Sequence, residues 1–583
     1  MSSRNGPDLQ DVRDPQDLRE LRVPVGEDAH RWRTFGGERT VVVAARTVTS
    51  TVRVLEALPA LLRGDSRVTV VFAYDPTSAF SDGVLDLLRD TGCRVMPWSQ
   101  LTTCTPDLIL SASENIALPE SDCPVLVLPH GVGFHKLVPD SHTPHTRLSG
   151  VVPDALLEAG RAWLAVSHPD QAEQLLAEHP KAAGRTLLIG DPCFDELSAS
   201  LPSAASYRRA LGVADGQRLV VLSSTWGPTS LLGRDPELPA RVLAALPYDE
   251  YRVAAILHPN VWAAHGSWQI RTAQAAALEA GLLLVPTIHA WRSALVAASA
   301  VVGDHGSVSL YGAALGKPLL LAAFGTDAVS DTAIARLGQV APRLDPHGDV
   351  RQQIESAIKE HTPTRYATIA DLAFAEPGQA LDRLRNALYH LLELPEPGPA
   401  GPPVLTLAPP DPPAAPVTSW LVTTTVSRSD SGQHTVAVSR QPAAVATDRD
   451  EEDGTYLHLA CDEEERNRRR IESASVVLCH RPAATTVAAL RWVRDTLHRL
   501  PGSLLAAVAL PDGGCLVGLL DGRVVEVALT GPPLDPGLPA ALIYTCLRAG
   551  LPLSDVCVTL HIGSMPVREE DVVLRLRPPA PAP

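Results

Sequence analysis

Unbroken short apolar runs, not alternating ones, mark the first two thirds of the chain. They fall at 41–45, 68–73, 94–97, 108–111, 125–128, 163–166 and 187–189. A strand that is apolar on both faces is a strand covered on both faces, as in a parallel sheet flanked by helices. Between most of these runs the period lengthens to that of a helix, for example over 52–62 and 81–91. A second series begins after Tyr207, with runs at 219–223, 253–257, 282–285, 300–302 and 319–322. This alternation predicts an α/β class with two Rossmann-like halves, 38–200 and 201–394, facing each other across a cleft. Ligands of such open sheets sit beyond the carboxyl ends of the strands.

The pattern changes twice more. Residues 377–393 predict an amphipathic helix with Leu381, Leu384, Leu388 and Leu391 on one side. Proline then dominates 395–417, a stiff extended linker. Beyond it, 418–576 predicts an α+β domain. Strands are expected at 420–426, 435–438, 456–460, 476–479, 504–510, 515–519 and 524–529, with helices near 484–499 and 536–549. The turns Pro511-Asp512-Gly513-Gly514 and Asp521-Gly522 make part of it a meander. Residues 1–37 read as a flexible arm and 577–583 as a disordered tail.

Composition narrows the function classes. At 583 residues the chain exceeds a single core. A net charge of −16 argues against nucleic acid as a partner, which calls for a basic stripe. The nine cysteines are scattered without a C-x-x-C pair, so reduced thiols are expected and neither a zinc site nor a disulfide framework is. No apolar run reaches the ~18 residues of a membrane span, and the polar N-terminus is no signal peptide. A cytoplasmic protein is expected, with peripheral membrane contact left open.

Candidate chemistry gathers at strand ends. His130-Gly131 and His258-Pro259 each close an apolar run, and so does Asp304-His305-Gly306-Ser307. The last leads through Ser309 into a helix ending at Gly316-Lys317-Pro318. A small-residue turn opening a helix offers free N–H groups and the positive dipole end, which suits a phosphate. The same dipole biases His305 towards its neutral form. The main alternative at each site is structural: a loop histidine satisfying carbonyls, a turn histidine capping a helix, and an N-cap aspartate. No metal site is expected, since His142-Thr143-Pro144-His145 reads as a polar loop. P-loop, nucleophile-elbow and zinc-helix motifs are absent. The run 463–470, EEERNRRR, reads as a solvated helix face.

Five motifs in order carry a resemblance over residues of about 40–390: LPHGVGFHK (128–136), GDPCFDEL (190–197), SSTWG (223–227), LHPN (257–260) and GDHGSV…GKP (303–318). The region resembles the GT-B glycosyltransferase superfamily. Within it the region looks most like the CDP-glycerol glycerophosphotransferases, with nucleotide-sugar 2-epimerases as more distant relatives. The resemblance implies a transferase that moves a glycerophosphate or glycosyl group from a CDP- or UDP-linked donor to an acceptor hydroxyl, without a further cofactor. It implies His130 as the general base, or a phosphate contact, for the attacking hydroxyl, with Gly131 beside it. It places His258-Pro259 at the donor's phosphates, and Asp304, His305, Gly306, Ser307 and Ser309 around the pyrophosphate.

The chain departs from that pattern in two places. Tyr311 stands where the relatives carry an acidic residue that binds the ribose hydroxyls, and Val132-Gly133-Phe134 replaces a Thr-Pro after the HG pair. A changed donor is one consequence. The other is a binding or scaffold protein that has kept the frame without turnover, with a protein partner for the C-terminal domain.

Overall fold

The computed structural model describes residues 18–577, apart from 27, 33, 140–145, 287, 399–400, 412–414, 429–432, 448–453, 530, 532 and 564–567. His142 and His145 lie outside the described residues.

The first unit is a seven-stranded parallel sheet. Its spatial order is Val95–Pro97, Val68–Tyr74, Arg39–Ala45, Leu108–Ser111, Val125–Val127, Ala162–Val166 and Thr186–Leu188. The chain starts in the middle, winds to one edge, then returns and winds to the other. The sequential order therefore reverses between Arg39–Ala45 and Leu108–Ser111, which pair in register Val41 to Leu108. The second unit repeats the plan with five parallel strands: Leu283–Val285, Tyr251–Leu257, Arg218–Ser224, Ala300–Gly303 and Leu319–Leu321. Its reversal lies between Arg218–Ser224 and Ala300–Gly303. Val41, Val42 and Val43, like Val220 and Val221, are fully buried, because helices cover both faces of each sheet.

Two segments pack differently from their place in the chain. The amphipathic helix Ala380–Leu391 follows the second sheet, yet Leu381, Leu384 and Leu388 join the core of the first half against Val54, Ala57 and Leu61. The proline-rich stretch touches both halves, with Val404 against the first core and Leu407 against the second. Leu407 accepts from the Tyr207 hydroxyl at 2.6 Å and donates its N–H to Ser200 Oγ at 3.0 Å. Within the N-terminal stretch, Leu21 exchanges two hydrogen bonds with the Gln100 side chain and packs on Val42 and Val71.

The C-terminal unit closes into a nine-stranded barrel, a fuller structure than the meander anticipated from its turns. Around the ring run Ser419–Arg428, His434–Pro442, Val556–Ile562, Arg568–Leu576, Val524–Leu529, Cys515–Leu519, Leu505–Ala509, Val476–Cys479 and Thr455–Asp462. The helix Gly537–Arg548 is buried on every side from Gly537 to Cys546 and packs among the inward side chains of the strands, so it plugs the barrel. The barrel docks where the second sheet's strand Tyr251–Leu257 begins, away from the strands' carboxyl ends. There Arg440 forms two hydrogen bonds with Asp249, of 3.0 and 2.6 Å. Its guanidinium lies 5.6 Å from the Tyr248 ring and 5.4 Å from Trp420. Among the described residues no helix is long and apolar enough to cross a membrane.

Candidate functional site

A cavity of about 630 Å³ opens between the two halves, bounded by the carboxyl ends of both sheets. Arg46 and Thr47 follow strand Arg39–Ala45 into its wall, Glu114 follows Leu108–Ser111, and His130 follows Val125–Val127. From the second half come Thr225 and Trp226 after Arg218–Ser224, and His258 after Tyr251–Leu257. The parallel sheets thus bring distant residues together simply by ending at the same level.

His130 and His258 have opposite hydrogen-bonding senses. His130 Nδ1 lies 3.2 Å from the carbonyl of Ala112. A carbonyl can only accept, so Nδ1 carries a proton, which leaves Nε2 as the lone-pair nitrogen of the neutral ring. His258 instead accepts the Asn260 N–H at Nδ1, at 3.1 Å, as the cap of helix Pro259–Ala273. Its proton is therefore on Nε2. Burial, with His130 and Lys136 nearby, pushes the His258 pKa down to about 3, so the ring stays neutral and is a donor.

Of the ten residues singled out in the sequence, seven line this cavity: His130, Gly131, His258, Pro259, Gly306, Ser307 and Tyr311. Asp304, His305 and Ser309 are buried behind it. Asp304 accepts from Thr225 N at 2.8 Å, Leu231 N at 2.9 Å and Gly306 N at 3.0 Å, a knot that ties its own turn to the connection 225–231. His305 accepts from Gly325 N at Nδ1 and donates from Nε2 to Asp327 at 3.1 Å. It is neutral, and burial is the main cause of its lowered pKa. Ser309 Oγ crowds Gly303, where a Cβ would clash with it.

Ser307 is the residue that reaches across. Its hydroxyl oxygen accepts the N–H of Val132, from the first half, at 3.2 Å. A Cβ at Gly131 would fall 2.6 Å from that oxygen, so glycine is required for the HG loop to come this close. Tyr311 is also tied across the cleft: its hydroxyl donates to Asp191 at 2.7 Å. Burial, with the Asp191 charge, raises its pKa well above the ordinary value.

Of the charged wall residues, Arg46, Arg53 and Arg147 had no separate signal in the sequence, and Lys136 ends the motif LPHGVGFHK. Arg46, Arg53, Lys136 and Arg147 each face a carboxylate, respectively Asp75 at 3.0 Å, Asp191 at 2.8 Å, Asp327 at 3.3 Å and Glu114 at 3.2 Å. The cavity's fixed positive charge is thereby largely matched, and dipolar donors remain for a ligand. At the mouth, Trp226 of the second half meets Phe80 of the first, with ring centroids 5.8 Å apart, and lies under Lys136 Nζ at 5.1 Å. Among the described residues there is no group of three or more His, Cys, Asp or Glu that could hold a metal ion.

Two doubly wound halves whose strand ends share one cavity define a fold of the GT-B type. No family model matches the chain, and no curated protein sequence does. Solved structures of this type are similar to it. The wall teichoic acid polymerase TagF is 11% identical, with 61% of this chain and 90% of that one covered and a TM-score of 0.42. The UDP-GlcNAc 2-epimerase of Neisseria meningitidis, bound to UDP-GlcNAc, is 14% identical over 61% and 100%, with a TM-score of 0.39. S. aureus MnaA, in a co-structure with UDP, is 12% identical over 62% and 99%, with a TM-score of 0.37.

Proposed function

We propose that this protein is a GT-B-type transferase that moves a glycerophosphate or glycosyl group from a nucleotide-diphosphate-linked donor to an acceptor hydroxyl. The observation that carries the reading is the pair of imidazoles on one cavity. His130 offers a lone pair at Nε2, and His258 offers an N–H at Nε2. His130 takes the proton of the attacking hydroxyl, a task suited to an imidazole. His258 donates to an oxygen of the donor's phosphates, and the Ser307 hydroxyl and the first N–H groups of helix Ser307–Ala314 add dipolar donors. Because the nearby cations already face carboxylates, the departing phosphate is stabilised mainly by these neutral groups.

Calorimetric titration with CDP, UDP and their glycerol or sugar conjugates tests the donor site. Binding to the wild type that disappears in a His258→Ala, Ser307→Ala variant is expected. Turnover tests the base: product formation unchanged in His130→Ala removes that assignment.

One observation favours the second reading, a binding or scaffold protein without turnover. The position where the resemblance implies a ribose-binding carboxylate is a phenol already committed to Asp191. Absence of binding to any nucleotide would favour it.

A further inference from the structure

The two halves are joined across the cleft by main chain as well as by side chains. Strand Leu137–Pro139 of the first half pairs antiparallel with Thr146–Leu148. Its other edge is taken by residues 327–329 of the second half, where Lys136 faces Ala328 in an antiparallel bridge. Leu137 N donates to Asp327 O at 2.8 Å, and Val329 N donates to His135 O at 2.9 Å. Lys136 Nζ adds an ion pair with Asp327 at 3.3 Å, and Val329 packs on the first-half core with Phe134 and Leu148. Phe134 turns the chain into this layer at a φ of 61°, a conformation rare for a bulky side chain. Burial of its ring and the bond from Gln174 Nε2 to its carbonyl, at 2.9 Å, hold it there. A second fastening follows helix Ala380–Leu391. Arg39 Nε donates to Leu392 O at 2.8 Å and Arg67 Nη2 to Pro395 O at 2.9 Å, both from the first half. Further on, Ser293 Oγ of the second half donates to Ala408 O at 2.6 Å, so this stretch straps one half to the other. Within the cleft lie the Ser307–Val132 and Tyr311–Asp191 bonds, and the ion pair of Arg292 with Glu56 at 2.9 Å. Opening the cleft would break the bridge and these contacts together, leaving Arg292 and Asp191, both buried, short of partners.

We propose that the cleft is fixed: the halves do not open as a hinge, and a ligand enters and leaves past the aromatic pair Phe80 and Trp226. This goes beyond the transferase reading and holds for any ligand of the cavity. Both rings line the cavity and both are partly exposed. Phe80 lies between strand Val68–Tyr74 and helix Val84–Asp90, and Trp226 directly follows Arg218–Ser224 and Thr225, so neither belongs to the bridge. Their rings meet at a tilt of 58° and no main-chain bond joins them. A partly exposed side chain turns about its own bonds far faster than packed domains separate. Gly227 follows Trp226 at a φ of 89°, with open space where its Cβ would stand, so the chain beside this ring is free of packing. On its other side Trp226 lies under Lys136, the residue that faces Ala328 in the bridge. The movable pair thus leans on the part of the seam that stays shut.

The bridge supplies its own test. Lys136 and Ala328 form a non-hydrogen-bonded antiparallel pair, flanked by the two main-chain bonds. Cα atoms of such a pair stand ~4.5 Å apart in regular sheet, within reach of a disulfide. A Lys136→Cys, Ala328→Cys variant, verified as folded by circular dichroism, is compared in its oxidised and reduced forms with CDP and UDP as probes. Association and dissociation rates should agree between the forms to within about twofold, because a cleft that never opens loses nothing by being locked. Association slowed roughly tenfold in the oxidised form, or failure of the folded protein to form the disulfide, overturns the fixed cleft. Phe80→Ala should speed association and dissociation together and leave Kd unchanged, since a gate alters the barrier and not the end states. Rates equal to wild type in that variant overturn the route. Hydrogen exchange needs no ligand: the amides of Leu137 and Val329 should exchange as slowly as those of strand Arg39–Ala45. Exchange of these two amides at loop rates overturns the proposal. A wild type that binds neither nucleotide defeats the transferase reading, while the two amides still decide whether the cleft opens.

Discussion

Tyr311 donates its hydroxyl to Asp191 across the cleft at 2.7 Å, and Arg53 donates to the other oxygen of the same carboxylate at 2.8 Å. Asp191 also caps helix Pro192–Ala199 by accepting from Cys193 N and Phe194 N. One buried carboxylate thus fastens a helix start, a cation of the first half and a phenol of the second. Tyr311→Phe removes one of these bonds and leaves the carboxylate otherwise satisfied, so a loss of about 1–2 kcal/mol is expected. Asp191→Ala leaves a buried guanidinium unpaired and removes the cap, for which about 3–5 kcal/mol is expected. Urea unfolding of the two variants checks the order; equal losses would show that the carboxylate is no hub.

Gly131 and Ser307 make a second cross-cleft prediction. A methyl at residue 131 meets the Ser307 hydroxyl at 2.6 Å and its Cβ at 3.3 Å. Gly131→Ala should therefore push the HG loop away from Ser307 and weaken nucleotide binding by about 1–3 kcal/mol, the usual range for overpacking. Ser307→Ala in the same chain relieves most of the clash. Calorimetry on both singles and the double should give a double variant better than the sum of its parts. Strict additivity would mean that the two residues do not touch in solution.

The parallel sheets were legible because burial on both faces writes itself as runs such as 41–45 and 219–223. The strand-end histidines were legible for the same reason, since the run locates the end. What those ends do to one another was not. Asp304 reads as a phosphate-site residue in sequence, yet its three N–H partners, at 225, 231 and 306, bury it behind the wall. The barrel was read as strands and helices but not as a closed ring. Closure depends on distant pairings such as Val436 with Leu560; strand Val556–Ile562 alternates, with Val558, Leu560 and Ile562 inward, but nothing local names the strand it pairs with.

His480 ties the barrel's rim by contacts to Asp462 and to Asp535, which in turn holds Arg440. Burial lowers its pKa, but the bonds to the two carboxylates outweigh burial and raise it to about 9. In the unfolded chain the value is about 6.5. The charged ring therefore contributes stability that is fully present below about 6.5 and lost as pH rises through about 9. Thermal melts between neutral and alkaline pH should show the midpoint falling, with His480→Gln both less stable at neutral pH and flatter in its dependence. A variant that keeps the wild-type slope would mean that another group carries the alkaline loss.

His458 shows the opposite linkage inside the same barrel. Its ring faces the plug helix, with its centroid 4.2 Å from that of Tyr544, and neither nitrogen has a hydrogen-bond partner. Burial alone pushes its pKa down to about 3. Between that value and the ~6.5 of an unfolded histidine, the unfolded chain binds a proton that the folded barrel refuses. Stability should then decline as pH falls below about 6.5. His458→Leu removes both the unsatisfied nitrogens and the proton linkage, so it should flatten the acid side of the stability curve without lowering stability at neutral pH. Denaturant unfolding at neutral and mildly acidic pH measures both effects. An unchanged acid slope in His458→Leu would assign the acid sensitivity elsewhere.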